Sequence, residues 1–426
     1  MHVAFITAGG AGMFCGSCMH DNALAKGLMA QGAEVSLLPT YTPIRLDEPQ
    51  FGGSRVFLGG INLYLDSFSP WARRIPRFLR RWLDSPTVLG WATGRGVSND
   101  ARELGEMSLA TLAGADGPQK TLVEELARFV GRELRPDVVC FSNALLAGTL
   151  PAIRRQYDGP IACVLQGDDI FLDGLVEPYR SRVLARLRER AAGFDALLTH
   201  SHFYRDHMAA LLDLPVERFR VTPLGIDLTG HDGEPRERLG NPPTVGFFAR
   251  ICPEKGLHLL VDAMKIVRRT RPDVRLAAGG YLGPRDADYF ASVKSAAAEF
   301  GDDFVHVGSP DGLADKVVFL KTLDLFSVPA TYREPKGLSI LEALANGVPV
   351  IQPDHGAYPE ILARTGGGVL FRAGDTAALA ERILELLSDD RKRCDLARQG
   401  RDGIHRVAGI EPTARETLAV LESLRR

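Results

Sequence analysis

The chain has 426 residues, of which 45% are hydrophobic and 24% charged, with a formal net charge of -2 at pH 7. That length supports two or three domains with full cores, and the near-neutral balance gives no global attraction to nucleic acid. Six scattered cysteines are too few for a disulfide framework, no stretch approaches the roughly 18 apolar residues of a membrane span, and the N-terminus lacks a signal-peptide pattern, so a cytoplasmic protein with reduced thiols is expected.

Residues 3–7 read as a strand, followed by a Gly-rich loop, a helix over about 20–30 capped by Gly32, and a second strand at 34–38. This βαβ opening predicts a parallel sheet. Residues 71–83 carry Ile75, Phe78, Leu79, Trp82 and Leu83 at helical spacing with five arginines largely opposite. Such a stripe either packs on a core or lies on anionic lipid. Val/Ile/Leu-rich runs at 137–141, 161–165 and 196–199 continue a doubly wound α/β pattern. Residues 228–243 are polar and rich in Gly and Pro, as linkers are. A second α/β unit begins at Thr244, with strands at 245–249, 275–279, 304–307, 325–328, 348–351 and 369–371, and an amphipathic helix spans 412–424. The expected organisation is a first domain over 1–225, a linker over 226–243, a second domain over 244–405 and a terminal helical segment over 406–426.

Gly10, Gly12 and Gly16 follow the first strand and open a helix, as phosphate-cradling loops do. Their Gly-x-Gly-x-x-x-Gly spacing departs from the dinucleotide fingerprint, and the second strand ends Leu37-Leu38-Pro39-Thr40 with no acid for a ribose, so NAD is not expected. Cys15 and Cys18 form a Cys-x-x-Cys pair at a helix N-terminus, where thiols acidify; packing or an acceptor contact is the preferred role, since zinc lacks a full ligand set. Arg250 and Lys255 lie five residues apart in the loop after a strand, where both can reach one anion. Asp286 and Asp288 precede a helix and read as solvated N-terminal acids, and neither a metal nor a cofactor is expected.

Glu334 and Glu342 bracket the start of a short apolar helix expected over 336–346, from Pro335 near its first turn to Gly347 at its end. Ser339, Glu342 and Asn346 also fall on one stripe, which a solvated helix face explains equally well. The backbone N–H groups of Gly337, Leu338 and Ser339 form an anion site beside both acids. Acids suited to hydroxyls, next to amides suited to phosphate, suggest a nucleotide sugar.

This Glu-x7-Glu stretch resembles the signature of the retaining glycosyltransferases of family 4, and Gly246-x-x-x-Arg250 with Glu254-Lys255-Gly256 resembles a second element of that family. The resemblance implies the GT-B fold, two Rossmann-like doubly wound parallel-sheet domains facing a cleft. It implies transfer of a sugar from a UDP- or GDP-sugar to a saccharide, lipid-linked or small-molecule acceptor, with retention of configuration. By the same resemblance Arg250 and Lys255 bind the pyrophosphate, Glu342 holds the ribose hydroxyls, Glu334 lies near the sugar ring, and Gly12, Gly16 and Ser17 face the donor phosphates and acceptor. Residues 354–360 resemble the family's donor-side Gly-x-x-Glu loop. Where family members often carry a His after the strand at 161–165, this chain has Gln166-Gly167-Asp168-Asp169. Glutamine hydrogen-bonds but does not titrate, and the sugar-hydroxyl contact then passes to Gln166. A lipid-linked acceptor would give the 71–83 stripe a use at the inner face of a membrane. A nucleotide-sugar epimerase or hydrolase on the same fold, or a catalytically silent nucleotide-binding protein, is the alternative.

Overall fold

The computed structural model describes residues 1–8, 16–40, 101–310 and 312–425. Gly12, Cys15 and the 71–83 stripe lie outside the described residues. The chain divides into two compact units, Met1–Pro223 with Thr413–Arg426, and Leu224–Pro412.

In the first unit β1 (His2–Thr7), β2 (Glu34–Pro39), β3 (Val138–Phe141), β4 (Ile161–Val164), β5 (Ala196–Thr199) and β6 (Phe219–Val221) form one parallel sheet in the order β2-β1-β3-β4-β5-β6. Every residue of β3, β4 and β5 is buried, as in a parallel sheet covered on both faces. Strand β6 has only three residues, too short to leave a sequence signal. The first helix spans Gly16–Ala30, so Ser17 and Cys18 are helical rather than part of the preceding loop, and Cys18 is buried.

In the second unit β7 (Thr244–Phe248), β8 (Arg275–Gly279), β9 (Phe304–Gly308), β10 (Leu325–Phe326), β11 (Val350–Pro353) and β12 (Gly368–Phe371) form a parallel sheet in the order β12-β11-β10-β7-β8-β9. Counted from its first strand this is the 3-2-1-4-5-6 order, in which the winding reverses between β7 and β10. The crevice beyond the carboxyl ends of those two strands is where such sheets take ligands. Strand β11 starts later than residue 348 because the Val348 N–H is spent on capping the preceding helix, bonding the Ala343 carbonyl at 3.0 Å, and Pro349 has no N–H to offer a ladder.

The polar segment 226–243 belongs to the second unit and is not a free linker. Arg401 Nε donates to the Gly233 carbonyl at 2.9 Å, Gly233 N–H donates to Asn346 Oδ1 at 3.2 Å, and Cys394 Sγ donates to the Arg236 carbonyl at 3.2 Å. The division therefore falls at 223/224 and 412/413 rather than at 225 and 405. The helix Ile410–Ser423 runs into the first unit, where Thr413 Oγ1 donates to the Pro223 carbonyl at 2.9 Å and Arg425 pairs with Asp137 at 2.9 Å. Among the described residues no helix is long and apolar enough to cross a membrane.

Candidate functional site

Strand β7 runs into Ala249, Arg250 and the short helical turn Pro253–Lys255, while β10 runs into a loop carrying Tyr332, Glu334 and Gly337. The two loops are clamped together. Thr331 N–H donates to the Glu254 carbonyl at 2.9 Å. Gly256, at φ +76°, approaches so closely that a Cβ would lie 2.0 Å from the Pro329 carbonyl oxygen, and only glycine fits there. As a result Lys255 Nζ donates to Glu334 Oε2 at 2.6 Å and also meets the Tyr332 hydroxyl. That hydroxyl in turn donates to Glu334 Oε2 at 2.5 Å. Glu334 Oε1 accepts from the N–H groups of Lys336 and Gly337, each at 3.3 Å. Behind it, Gly356 leaves no room for a side chain: a Cβ would stand 2.6 Å from the Glu334 carbonyl oxygen, which accepts from Ala357 N–H at 2.8 Å.

Electrostatics follow from this cage. Burial opposes ionisation of Glu334, but the Lys255 ammonium, with hydrogen bonds from Lys255, Tyr332 and the Gly337 N–H, holds its carboxyl at about 2. Burial likewise disfavours the Lys255 cation, and the Glu334 carboxylate outweighs it, leaving the ammonium more firmly protonated than usual. Arg250 is exposed, with Nε 3.3 Å from Cys252 Sγ. Of the two cations, Lys255 is thus held against Glu334 and Arg250 sits at the surface of the same loop.

The helix after this loop spans Leu338–Ala345, with Gly337 at φ +74° as its N-cap, so the first-turn N–H groups of Leu338 and Ser339 fall beside Glu334. Glu342 and Asn346 are buried and Ser339 is half-buried, which removes the solvated-stripe explanation. Instead Glu342 Oε1 accepts from Lys316 Nζ at 2.7 Å, and the Glu342 carbonyl accepts from Asn346 Nδ2 at 2.9 Å. Sequence reasoning missed Lys316; its only signal is a cation directly ahead of the apolar run 317–320 in the helix Leu313–Lys321. Asp286 is also corrected: it is buried, 3.7 Å from Arg285 Nε, while Asp288 is exposed. Among the described residues no three His, Cys, Asp or Glu side chains are grouped to hold a metal ion.

At the carboxyl edge of the first unit's sheet Thr7 ends β1, and Ser142, Gln166, His200 and Thr222 follow β3, β4, β5 and β6; all five are buried. Gln166 Nε2 donates to Asp21 Oδ1 at 2.8 Å and to the Ser142 carbonyl at 3.2 Å. The His20 and His200 rings meet edge to face with centroids 4.5 Å apart, and His200 Nδ1 donates to the Thr222 carbonyl at 2.9 Å. Asp168 accepts from the N–H groups of Ala144, at 2.7 Å, and Gln166, at 2.9 Å, and burial pushes its carboxyl up to about 6. Asp169 accepts from Tyr204 at 2.7 Å and faces His207 Nε2 at 3.0 Å. Both aspartates thus bind the loops after β3 and β4 to the helices behind them. Asp21 and His200 were not foreseen, and His20 was weighed only as a zinc ligand; the consecutive polar residues His20-Asp21-Asn22, all buried in the first helix, are the signal that marks His20 and Asp21.

Two family models match the chain: Glycosyl transferases group 1 over residues 234–403 and Glycosyltransferase Family 4 over residues 116–230. Among known proteins, the chain is 36% identical to a lipopolysaccharide core biosynthesis mannosyltransferase, LpsB, of Rhizobium meliloti, over 45% of this chain and 56% of that protein. The chain therefore spans little more than half the length of this relative. It is 29% identical to a GDP-mannose-dependent alpha-(1-6)-phosphatidylinositol monomannoside mannosyltransferase of Mycobacterium tuberculosis, over 81% of this chain and 90% of that one. Among solved structures, Anabaena Alr3699/HepE in complex with UDP superposes with a TM-score of 0.70 at 18% identity, over 99% of this chain and 100% of that one. Sucrose-phosphate synthase from Thermosynechococcus elongatus gives 0.71 at 18% identity, over 100% and 99%. At that identity the two structures attest a shared GT-B architecture, two Rossmann-like units, and nothing finer.

Proposed function

The chain belongs to glycosyltransferase family 4, and from that premise we propose that it transfers a sugar from a nucleoside-diphosphate sugar to a hydroxyl acceptor with retention of configuration. The observation that carries the proposal is the Lys255–Glu334 pair at the reversal point of the second sheet, beside the helix N-terminus at Gly337. An ammonium, an exposed guanidinium at Arg250 and first-turn N–H groups together meet the needs of a diphosphate. In the reaction the bond from the anomeric carbon to the diphosphate oxygen breaks, a bond to the acceptor oxygen forms, and the proton of the acceptor hydroxyl passes to the departing diphosphate. Negative charge grows on the departing diphosphate, and fixed cations and amides stabilise that charge most where it develops. Glu334 then positions the sugar, Glu342 takes the ribose hydroxyls, and Gln166, with Gly12, Gly16 and Ser17, serves the sugar and acceptor side. No metal or cofactor enters this scheme.

GDP-mannose is the first donor to try, because a relative aligned over most of both chains is named for it. A saccharide or lipid-linked hydroxyl is the acceptor class on the same ground. The test is to incubate the protein with GDP-mannose or UDP-glucose, with and without such acceptors, and to read products by mass and anomeric configuration by NMR. The proposal predicts an acceptor-dependent gain of one hexose with the donor's configuration. Free sugar or epimerised donor formed without acceptor would instead identify a hydrolase or epimerase, and an inverted linkage would sink retention.

A further inference from the structure

Lys316 and Glu342 form an ion pair that burial by itself does not favour. The Lys316 and Glu342 side chains are only 4% and 8% exposed, with Nζ 2.7 Å from Oε1. Withdrawing both charges from water consumes much of what their attraction returns, and an apolar pair of similar volume would join the two helices as well. What an apolar pair cannot do is aim a carboxylate. The Glu342 backbone is anchored separately, because Asn346 Nδ2 bonds its carbonyl while Asn346 is itself held by His231 Nδ1 at 2.8 Å and by Gly233 N–H. With the backbone fixed and Oε1 tied to Lys316, the plane of the carboxylate and the heading of Oε2 are fixed too. This carboxylate lies one turn beyond the first-turn N–H groups assigned to the diphosphate in the proposed function.

We infer that Lys316 is a positioning residue for the nucleotide, holding Glu342 so that its second oxygen accepts a hydrogen bond from a ribose hydroxyl. The inference rests on the nucleotide-sugar reading above. It assigns Lys316 no contact with the reacting atoms. Its effect is confined to recognition of the sugar of the nucleoside.

The experiment compares binding of GDP and UDP with binding of their 2′,3′-dideoxy analogues, by calorimetry, to the wild type, Lys316→Met, Lys316→Gln and Lys316→Arg. In the wild type, removing the ribose hydroxyls from the preferred diphosphate weakens binding about tenfold or more. Lys316→Met binds the ribose and dideoxy forms alike, yet still prefers a diphosphate to the bare nucleoside. Lys316→Arg restores the ribose preference, which lost packing alone would not explain. Lys316→Gln, a smaller change for the case in which Lys316→Met does not fold, reduces it. A full ribose preference in Lys316→Met or Lys316→Gln overturns the inference. So does a wild type that binds a diphosphate with no ribose preference, although the nucleotide reading then stands; a wild type that binds neither diphosphate overturns both.

Discussion

Asp168 and Glu334 occupy comparable places, each buried beyond the carboxyl ends of a parallel sheet, Asp168 at the start of a helix and Glu334 in a loop, yet their acidities are pushed in opposite directions. Burial raises Asp168 to about 6, the Asp169 carboxylate adding to the rise, and the N–H groups of Ala144 and Gln166 that it accepts from offset this only in part. Burial acts on Glu334 too, but the Lys255 ammonium 2.6 Å away reverses the outcome and holds it at about 2. Asp168 is thus held by backbone N–H groups, and Glu334 by an ammonium.

Replacing Lys255 should break that contrast most severely. Lys255→Ala leaves Glu334 buried without its cation, which costs about 3–5 kcal/mol of stability, and removes a charge that stabilises the departing diphosphate. Transfer should fall by about 10²–10³-fold. Steady-state kinetics together with thermal unfolding reads both effects. Gln166→Ala, by contrast, removes hydrogen bonds only, so an equal loss of transfer there would contradict the division of labour between Lys255 and Gln166.

Gly256→Ala tests the clamp that brings Lys255 to Glu334. A Cβ 2.0 Å from the Pro329 oxygen, on a residue at φ +76°, must push the two loops apart. A loss of at least about 1–3 kcal/mol is expected from the backbone conformation alone. Diphosphate affinity should fall with it, as titration calorimetry would detect.

The two carboxylates also predict pH dependences of opposite sign. The folded pKa of Glu334, about 2, lies below its ordinary 4.5, so its contribution is fully present above about pH 4.5 and is lost as pH falls toward 2. The folded pKa of Asp168, about 6, lies above its ordinary 3.8, so stability is greatest below about pH 3.8 on this account and declines as pH rises to 6. Denaturant unfolding between pH 3 and 7 should therefore lose a rising component in Glu334→Gln and a falling one in Asp168→Asn. The smallest effect is expected for the cysteines. Cys18 is buried in the first helix, and exchanging Cys15 and Cys18 for serine should leave transfer largely intact. Abolished transfer in a folded double variant would assign them chemistry.

The sequence made the sheets legible because buried parallel strands such as 138–141 and 161–164 are continuous apolar runs. The family and the Glu334 segment were legible through spacing. Lys316 was not, because a lysine in an amphipathic helix ordinarily points to water, and its reach to Glu342 exists only once two helices pack. Asp286 misled for the same reason, since an acid before a helix ordinarily faces solvent. The segment 226–243 misled in another way: its Gly and Pro content is that of a linker, but Gly233 lies where a Cβ would be 2.6 Å from the Asn346 carbonyl oxygen, so the glycine serves close packing.

Thermal unfolding of the wild type and Lys255→Ala, each with GDP, UDP, GDP-mannose and UDP-glucose, tests the role of the Lys255–Glu334 pair most directly. At about 100 times its dissociation constant a ligand stabilises the folded state by roughly 2.7 kcal/mol. One nucleoside diphosphate and its sugar should stabilise the wild type selectively and leave Lys255→Ala unmoved. Equal stabilisation of both proteins, or of neither, would contradict a diphosphate site built on Lys255 and Glu334.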